Sequence, residues 1–177
     1  CAFIGLGTMG YPMAGHLTTG RHDVHVYNRT TSKSEKWADT YGGTMHETPS
    51  SAAQGADFVF TCVGNDRDVE EVLTGTNGAI HALREDAIVV DHTTASVTLA
   101  KNLSTICEEK SIGFIDAPIS GGQSGAEQGT LSIMCGGHDY HFAKAQPVME
   151  SYGKTITLIG PSGSGQFTKM VNQILCS

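Results

Sequence analysis

The stretch Gly5-Leu6-Gly7-Thr8-Met9-Gly10 decides the fold of this 177-residue chain. It follows the apolar run Ala2-Phe3-Ile4, which is typical of a short buried strand. Apolar residues with helical spacing come next, at Met9, Met13 and Leu17. A strand, a glycine-rich turn and a helix in this order bind the pyrophosphate of a dinucleotide, so the sequence predicts such a site at its first turn.

Each glycine of this turn has a predicted role. Gly5 allows the tight turn, Gly7 leaves no side chain between the backbone and a pyrophosphate, and Gly10 lets the helix pack closely on the strand. The N-terminus of that helix faces the phosphates and favours negative charge. The whole turn is therefore predicted to bind the cofactor, through Gly5, Leu6, Gly7, Thr8, Met9 and Gly10.

The second apolar run, Val24 to Tyr27, ends on Asn28-Arg29-Thr30. An NAD-binding protein usually places an acidic residue here, where it accepts a hydrogen bond from the ribose 2′-hydroxyl. No carboxylate stands at this point to repel a 2′-phosphate, and Arg29 can form charge-assisted hydrogen bonds with one. The sequence therefore predicts an NADP site, with NAD possible; a solvated loop cation is the alternative interpretation of Arg29.

Composition limits the class of protein. The chain has 11 basic and 18 acidic residues, and its net charge of −7 argues against partners such as nucleic acid or an anionic membrane. No apolar segment approaches the roughly 20 residues of a membrane helix, so we expect a cytoplasmic protein. The cysteines are widely separated, form no CxxC pair and are typical of reduced core residues: Cys1, Cys62, Cys107, Cys135 and Cys176.

Short apolar runs alternate with helical stretches along most of the chain. After the first two strands, further strands are predicted at 58–60, 88–90, 114–115 and 130–135. Helices are predicted at 32–41, 66–73 and 96–110. Ser32 and Ser96 are the expected N-caps of two of them. This alternation predicts an α/β fold with a Rossmann-type doubly wound, mostly parallel sheet.

A last helix is predicted after Gly163-Ser164-Gly165. Its apolar face carries Phe167, Met170, Val171 and Ile174. The pattern stops at Ser177 without a C-cap glycine or a proline, and Cys1 already lies within the first strand. We therefore expect an NADP-binding Rossmann-like domain at 1–160, the start of an interdomain helix at 161–177 leading to a domain absent here, and one or a few residues before Cys1.

Small and polar residues follow several strands, at the edge where open α/β sheets bind ligands. Cys62-Val63-Gly64-Asn65 and Thr94 come after two of these strands. Ser120-Gly121-Gly122 comes soon after a third, and small residues there suit an anion such as a substrate carboxylate. The sequence therefore predicts one ligand site that draws on several turns.

The last helix carries a candidate acid or base, Lys169, one turn after its glycines. Asn172 and Gln173 lie three and four residues further on, on the same helix face. A lysine held next to a cofactor can exchange a proton with substrate. The residues alone also allow a solvated helix cation, which is the commoner place for a lysine.

Metal and hydrolase chemistry are not predicted. His138-Asp139-Tyr140-His141 places two histidines close together, but Asp139 after two glycines is better explained as a helix N-cap than as a zinc ligand. The eight histidines form no HExxH motif, and no serine lies in a GxSxG elbow. Asp57, Asp91 and Asp116 flank strands at regular positions and are not expected to form a catalytic carboxylate pair.

Three groups of residues, in this order, resemble the β-hydroxyacid dehydrogenase family. They are Gly5 to Ala14, Asp116 to Gly129, and Gly163-Ser164-Gly165 followed by Lys169 and Asn172. The family includes 3-hydroxyisobutyrate dehydrogenase, tartronate semialdehyde reductase, glyoxylate reductase and succinic semialdehyde reductase. The resemblance covers nearly the whole chain and implies an NAD(P)-dependent oxidoreductase that interconverts a small hydroxy acid and its semialdehyde or keto acid.

The resemblance also implies roles for particular residues. Ser120, Gly121 and Gly122 would bind the substrate carboxylate, Lys169 would be the proton donor or acceptor, and Asn172 would orient the substrate or the lysine. Many members have two asparagines where this chain has Asn172-Gln173, so either amide is a candidate for the substrate contact.

On the cofactor side, the resemblance implies that Val63 and Asn65 line the adenosine end and that Thr94 approaches the nicotinamide. Cys62 and Gly64 belong to the same predicted turn. Members of the family continue into a helical domain that closes the site and pairs subunits, so the longer protein is expected to be a homo-oligomer. Two alternatives stay open, a non-catalytic NADP-binding scaffold and an imine reductase-like enzyme with another proton donor.

Overall fold

A computed structural model describes residues 1–175. Its strands are β1 (Ala2–Ile4), β2 (His25–Tyr27), β3 (Thr44–Met45), β4 (Phe58–Thr61), β5 (Ile88–Asp91), β6 (Gly113–Asp116), β7 (Ile119–Ser120), β8 (Leu131–Gly137) and β9 (Gly153–Gly160). Its helices are α1 (Gly10–Thr19), α2 (Thr31–Tyr41), α3 (Pro49–Ala53), α4 (Asp66–Thr74), α5 (Val97–Glu108), α6 (Gly122–Gln128), α7 (Asp139–Met149) and α8 (Ser164–Leu175), with a 3-10 turn at Ala79–Ala82.

The sheet is doubly wound and mostly parallel, which confirms the predicted fold class. Strands β1 to β6 are parallel and lie in the order β3-β2-β1-β4-β5-β6. Strand β8 runs antiparallel to β6 and β7, and β9 pairs parallel with β8. The direction of sheet growth reverses between β1 and β4, and ligands of such sheets bind outside the carboxyl ends of the strands at that point.

Both faces of the sheet are buried, which explains why its strands are short continuous apolar runs. Phe3 and Phe60 point into a core with Leu17 of α1. The alternate residue Ile4 points into a second core on the opposite face, together with Leu103 of α5. The sheet therefore forms a rigid platform, and its carboxyl edge presents the turns that carry the predicted site residues.

The predicted strands and helices are present, with their ends at the predicted residue or within two residues of it. The sequence patterns did not identify β3, α3, α6, β7 or β9, which are short or partly exposed. The predicted N-cap Ser96 is confirmed, because its hydroxyl accepts a hydrogen bond from the N–H of Leu99 at 3.1 Å.

Two predicted N-caps were wrong by one or two residues. Helix α2 begins at Thr31 with Thr30 at the N-cap, not Ser32, because the Asn28 amide donates to the Thr30 carbonyl at 3.1 Å and turns the chain early. The N-cap of α7 is His138, whose Nδ1 accepts from the N–H of Tyr140 at 3.2 Å. Asp139 lies in the first turn instead, where its charge still suits the helix dipole.

The four described cysteines are free thiols. Cys107 and Cys135 are buried, and Cys1 and Cys62 are half-buried; the prediction for Cys176 lies outside the described residues. Within residues 1–175 no helix is both long and apolar enough to span a membrane. Over the same range, no three His, Cys, Asp or Glu residues are grouped to hold a metal ion.

Candidate active site

The glycine turn after β1 is shaped for close approach of a ligand. Gly5 has a φ of +98°, and a Cβ there would overlap the carbonyl oxygen of Cys62. A Cβ on Gly10 would overlap the carbonyl oxygen of Gly5, so the start of α1 packs directly on the turn. A Cβ on Gly7 would have no atom within 4 Å and would project into open space. This geometry fits a pyrophosphate lying against the backbone at Gly7.

A cleft of about 390 Å³, which we term the glycine-turn cleft, lies in front of this turn. Its predicted cofactor residues are Gly5, Gly7, Thr8, Met9, Gly10, Asn28, Arg29, Thr30, Cys62, Val63 and Gly64. Three other predicted cofactor residues, Leu6, Asn65 and Thr94, do not line it. Leu6 is buried, and Asn65 caps α4, where its Oδ1 accepts from the N–H of Asp68 at 3.1 Å.

Asn28 links the end of β2 to the glycine turn. Its Oδ1 accepts a hydrogen bond from the N–H of Leu6 at 2.9 Å, and its Nδ2 donates to the Thr30 carbonyl. The Asn28 amide therefore occupies the place where an acidic residue is usual. It holds the glycine turn by a hydrogen bond and carries no negative charge.

Part of the cleft wall beside Arg29 comes from α4, and the sequence patterns did not indicate its lining residues. Asp68, Glu71 and Val72 all line the glycine-turn cleft. Nη1 of Arg29 donates to Oδ1 of Asp68 at 3.2 Å. The signal that could have found these residues is their i, i+3, i+4 spacing directly after β4, which puts them on one helix face.

A second cleft of about 400 Å³, which we term the lysine cleft, contains Lys169. The predicted carboxylate-binding residues Ser120, Gly121 and Gly122 line it, as does Thr94. It shares Met9, Cys62, Val63 and Gly64 with the glycine-turn cleft. The fold thus brings the predicted substrate, proton-transfer and nicotinamide positions together, although they lie far apart in the sequence.

The backbone at Gly121 and Gly122 requires glycine. The φ angles are +130° and +60°, and a Cβ on Gly122 would meet nothing within 4 Å. The turn is therefore open towards the lysine cleft. Asn172 is half-buried on α8 and Gln173 is exposed, and neither lines the two clefts.

Asp116 holds the start of the helix that carries Lys169. The carboxylate is fully buried; Oδ1 accepts from the N–H of Gly163 at 2.7 Å and Oδ2 from the N–H of Gln166 at 2.9 Å. Burial raises the pKa of Asp116, and these backbone hydrogen bonds oppose the rise. A Cβ on Gly165 would overlap the carbonyl oxygen of Met134, so the glycines let α8 begin against the sheet.

Gln166 ties α8 to the loop that carries Thr94. Its buried side chain donates from Nε2 to the Thr93 carbonyl at 2.6 Å and accepts at Oε1 from the N–H of Ala95 at 3.0 Å. One amide therefore links the helix that carries Lys169 directly to that loop. The sequence contains no signal for this contact, because a glutamine on a helix is usually solvated.

Two buried titratable groups support the back of the lysine cleft. Asp91 accepts from the hydroxyl of Thr61 at 2.7 Å and the N–H of Thr93 at 3.0 Å. Burial raises the pKa of Asp91 to about 6, although these hydrogen bonds oppose the rise. Burial lowers the pKa of His92 to about 4. Burial also raises the pKa of the Cys62 thiol to about 12, so the wall shared by the clefts carries no thiolate.

The tautomer of His92 follows from its partners. Nδ1 lies 2.7 Å from the Ala117 carbonyl, which can only accept, so Nδ1 carries the proton. Nε2 then accepts from the hydroxyl of Tyr152 at 2.8 Å. Both nitrogens of the neutral ring are satisfied, and His92 is a structural residue at the cleft wall.

The pKa shifts of Asp91 and His92 act on stability with opposite signs. The raised pKa of Asp91 stabilises the fold below pH 3.8, and this contribution is lost as the pH rises through about 6. The lowered pKa of His92 contributes stability above pH 6.5, which is lost as the pH falls through about 4. The two effects oppose each other between these limits.

We expect Asp91→Asn to remove the contribution of Asp91 to the pH dependence of stability and to leave that of His92. The amide keeps an acceptor for Thr61 and the N–H of Thr93 but does not titrate. Between pH 7 and pH 4, the free energy of unfolding of the unsubstituted protein should rise relative to that of the variant by about 2 kcal/mol. Urea denaturation at several pH values measures the difference, and a difference that does not change with pH would contradict the burial effect on Asp91.

Comparison with known proteins places this geometry in a family. Residues 1–160 match the NAD-binding domain of 6-phosphogluconate dehydrogenase. The chain belongs to this family. It is 54% identical over 173 residues to an uncharacterized oxidoreductase of Shewanella frigidimarina, a match that covers 98% of this chain and 60% of the relative. Family membership and the glycine-turn geometry together show a nicotinamide dinucleotide-binding domain.

Named enzymes of the β-hydroxyacid dehydrogenase type are also similar, which confirms the predicted resemblance. The chain is 39% identical over 173 residues to the 2-hydroxy-3-oxopropionate reductase of Escherichia coli, covering 98% of this chain and 59% of that enzyme. The structure of Mycobacterium tuberculosis 3-hydroxyisobutyrate dehydrogenase with L-serine superposes with a TM-score of 0.92 at 31% identity. The match covers 99% of this chain and 59% of that enzyme's chain. The chain spans about three fifths of the length of these relatives.

Proposed function

We propose that the protein is an NADP-dependent oxidoreductase that interconverts a small hydroxy acid and its semialdehyde or keto acid. One observation carries the proposal. Lys169 and the Ser120-Gly121-Gly122 turn line one cleft, and that cleft shares a wall with the glycine-turn cleft. A proton donor and a carboxylate-binding turn beside a nicotinamide site are the parts that this reaction needs.

The preference for NADP rests on the end of β2. Arg29, Thr30 and Lys33 line the glycine-turn cleft there, and Asn28 takes the usual place of the ribose-binding acid. A guanidinium with neighbouring hydroxyl and ammonium groups suits a 2′-phosphate. NAD remains the alternative cofactor.

Different residues of the chain have different roles in the proposed reaction. Ser120, Gly121 and Gly122 bind the substrate carboxylate, which orients the carbon that reacts. Lys169 donates a proton to the carbonyl oxygen during reduction and accepts it during oxidation. Asn172 orients the lysine or the substrate, and Thr94 contacts the nicotinamide. A bound nicotinamide supplies or accepts the hydride.

We also propose that residues 1–160 form the cofactor-binding domain and that 161–177 begin an interdomain helix. Phe167 is 60% exposed and Ile174 72% exposed on α8, so its apolar face is uncovered. The named relatives are longer than this chain. In the longer protein, further helices would cover this face, close the lysine cleft and pair subunits in a homo-oligomer.

A substrate screen tests the proposed activity. The full-length gene product is assayed with NADPH against glyoxylate and the tartronate, succinic and methylmalonate semialdehydes, with a cyclic imine as an additional substrate. Turnover of at least one carboxylated aldehyde supports the proposal. Turnover of the imine alone would indicate an imine reductase, and tight NADPH binding without any turnover would indicate a non-catalytic scaffold.

Arg29→Ala tests the cofactor assignment. Loss of the charge-assisted contact with the 2′-phosphate should weaken NADPH binding by about 1.5–3 kcal/mol and leave NADH binding nearly unchanged. Fluorescence titration with both cofactors measures this. Arg67→Ala is the matched control, because Arg67 is exposed on α4 and does not line the glycine-turn cleft. Equal affinities of the unsubstituted protein for NADPH and NADH would refute the NADP preference.

A further inference from the structure

An ion pair crosses the mouth of the glycine-turn cleft. It joins Arg29, at the end of β2, to Asp68 on α4, with 3.2 Å between Nη1 and Oδ1. The arginine side chain is 86% exposed, whereas the aspartate side chain is only 26% exposed. Both residues line the cleft. The arginine therefore has room to move away, and the carboxylate is the anchored partner.

Two hydrogen bonds with Asn65 and the lack of a side chain at Gly64 fix the position of Asp68. Its Oδ2 accepts from Nδ2 of Asn65 at 3.2 Å, and its N–H donates to Oδ1 of the same asparagine at 3.1 Å. A Cβ on Gly64 would lie 2.7 Å from Oδ2, so the preceding turn leaves space for the carboxylate only because this residue is glycine. The negative charge is held towards Arg29 before any ligand binds.

We propose that Asp68 is a specificity-determining residue that competes with the cofactor 2′-phosphate for Arg29. This inference rests on the proposed function, in which Arg29 binds that phosphate. A phosphate that takes the Nη1 donor displaces the carboxylate from it, and a phosphate on any other donor of the guanidinium still lies near the charge of Asp68, where like charges repel. NADH has a 2′-hydroxyl instead and does not incur this penalty. Asp68 therefore brings the affinities for NADPH and NADH closer together.

Asp68→Asn tests the proposal. The amide is nearly isosteric and can still accept from Asn65, but it carries no charge. NADPH affinity should rise about fivefold, the upper range for an exposed ion pair, while NADH affinity stays within about twofold. In 0.5 M salt the gain in NADPH affinity should shrink, because exposed charges are screened. Both cofactors are titrated at low and high salt.

The matched control is Glu70→Gln, which removes one negative charge from an exposed position on the same helix that does not line the cleft. It should change NADPH affinity much less than Asp68→Asn. In an Arg29→Ala background, Asp68→Asn should lose most of its effect, since the competition for the guanidinium has been removed.

The other results would overturn the proposal in separate ways. If Arg29→Ala weakens NADPH binding but Asp68→Asn leaves it unchanged, the NADP assignment stands and the competition does not exist. If Asp68→Asn weakens NADH binding, the carboxylate is a hydrogen-bond acceptor for the ribose hydroxyl and favours NAD. If Arg29→Ala leaves NADPH binding unchanged, the premise taken from the proposed function is itself refuted.

Discussion

Lys169→Ala is expected to lower kcat by about 10²–10⁴ while the affinity for NADPH stays nearly unchanged. The reason is the position of the side chain. Lys169 lines the lysine cleft with the Ser120-Gly121-Gly122 turn and is absent from the lining of the glycine-turn cleft. Its removal should therefore take away the proton donor and leave the phosphate and adenosine contacts in place.

The experiment uses the full-length gene product, with steady-state rates and a separate NADPH titration. Lys169→Arg keeps the positive charge but cannot exchange its proton near neutral pH, so it should be nearly as slow as the alanine variant. Lys154→Ala removes an exposed lysine on β9 and should leave the rate unchanged. Loss of NADPH binding in parallel with the rate would show that Lys169 is structural.

Asp116→Ala is expected to lower the free energy of unfolding by about 2–5 kcal/mol. The buried carboxylate accepts hydrogen bonds from the N–H groups of Gly163 and Gln166, and alanine leaves both donors without a partner. The start of α8 should loosen as a result. Chemical denaturation followed by circular dichroism measures the loss.

Two further variants separate capping from a general effect of charge. Asp116→Asn keeps one acceptor oxygen and should lose only part of the stability. Asp39→Asn changes an exposed carboxylate on α2 and should stay within about 0.5 kcal/mol of the unsubstituted protein. If Asp116→Ala matched Asp39→Asn, the carboxylate would not be what holds α8 against the sheet.

The fold and the cofactor turn could be predicted because their signals are local. The roles of Gly5, Gly7 and Gly10 depend on backbone geometry within one strand, turn and helix, and the structure shows the positive φ at Gly5, the open space at Gly7 and the close packing at Gly10 that these roles need. The alternation of buried strands with helices is likewise a pattern of neighbouring residues. The N-cap at Ser32 was wrong although its cause is also local: the Asn28 amide donates to the Thr30 carbonyl, and Thr30 is the N-cap two residues before Ser32.

The predicted roles of Lys169 and the Ser120-Gly121-Gly122 turn came from a resemblance between motifs. Their spacing along the chain contains nothing that would place them together. Folding puts both on one cleft, because β7 and α8 each meet the carboxyl edge of the sheet. The roles themselves await the variants described above.

The sequence was therefore sufficient for the doubly wound sheet, the glycine turn and the absence of an acid at the end of β2, since short-range backbone geometry and burial dictate these features. It was not sufficient for the contacts that adjust the site. Asp68 lies 39 residues from Arg29, Asp116 lies 47 from Gly163, and Gln166 lies 73 from Thr93. Hydrogen bonds over such separations follow no periodic pattern, and they exist only because the sheet brings the ends of its strands to one edge.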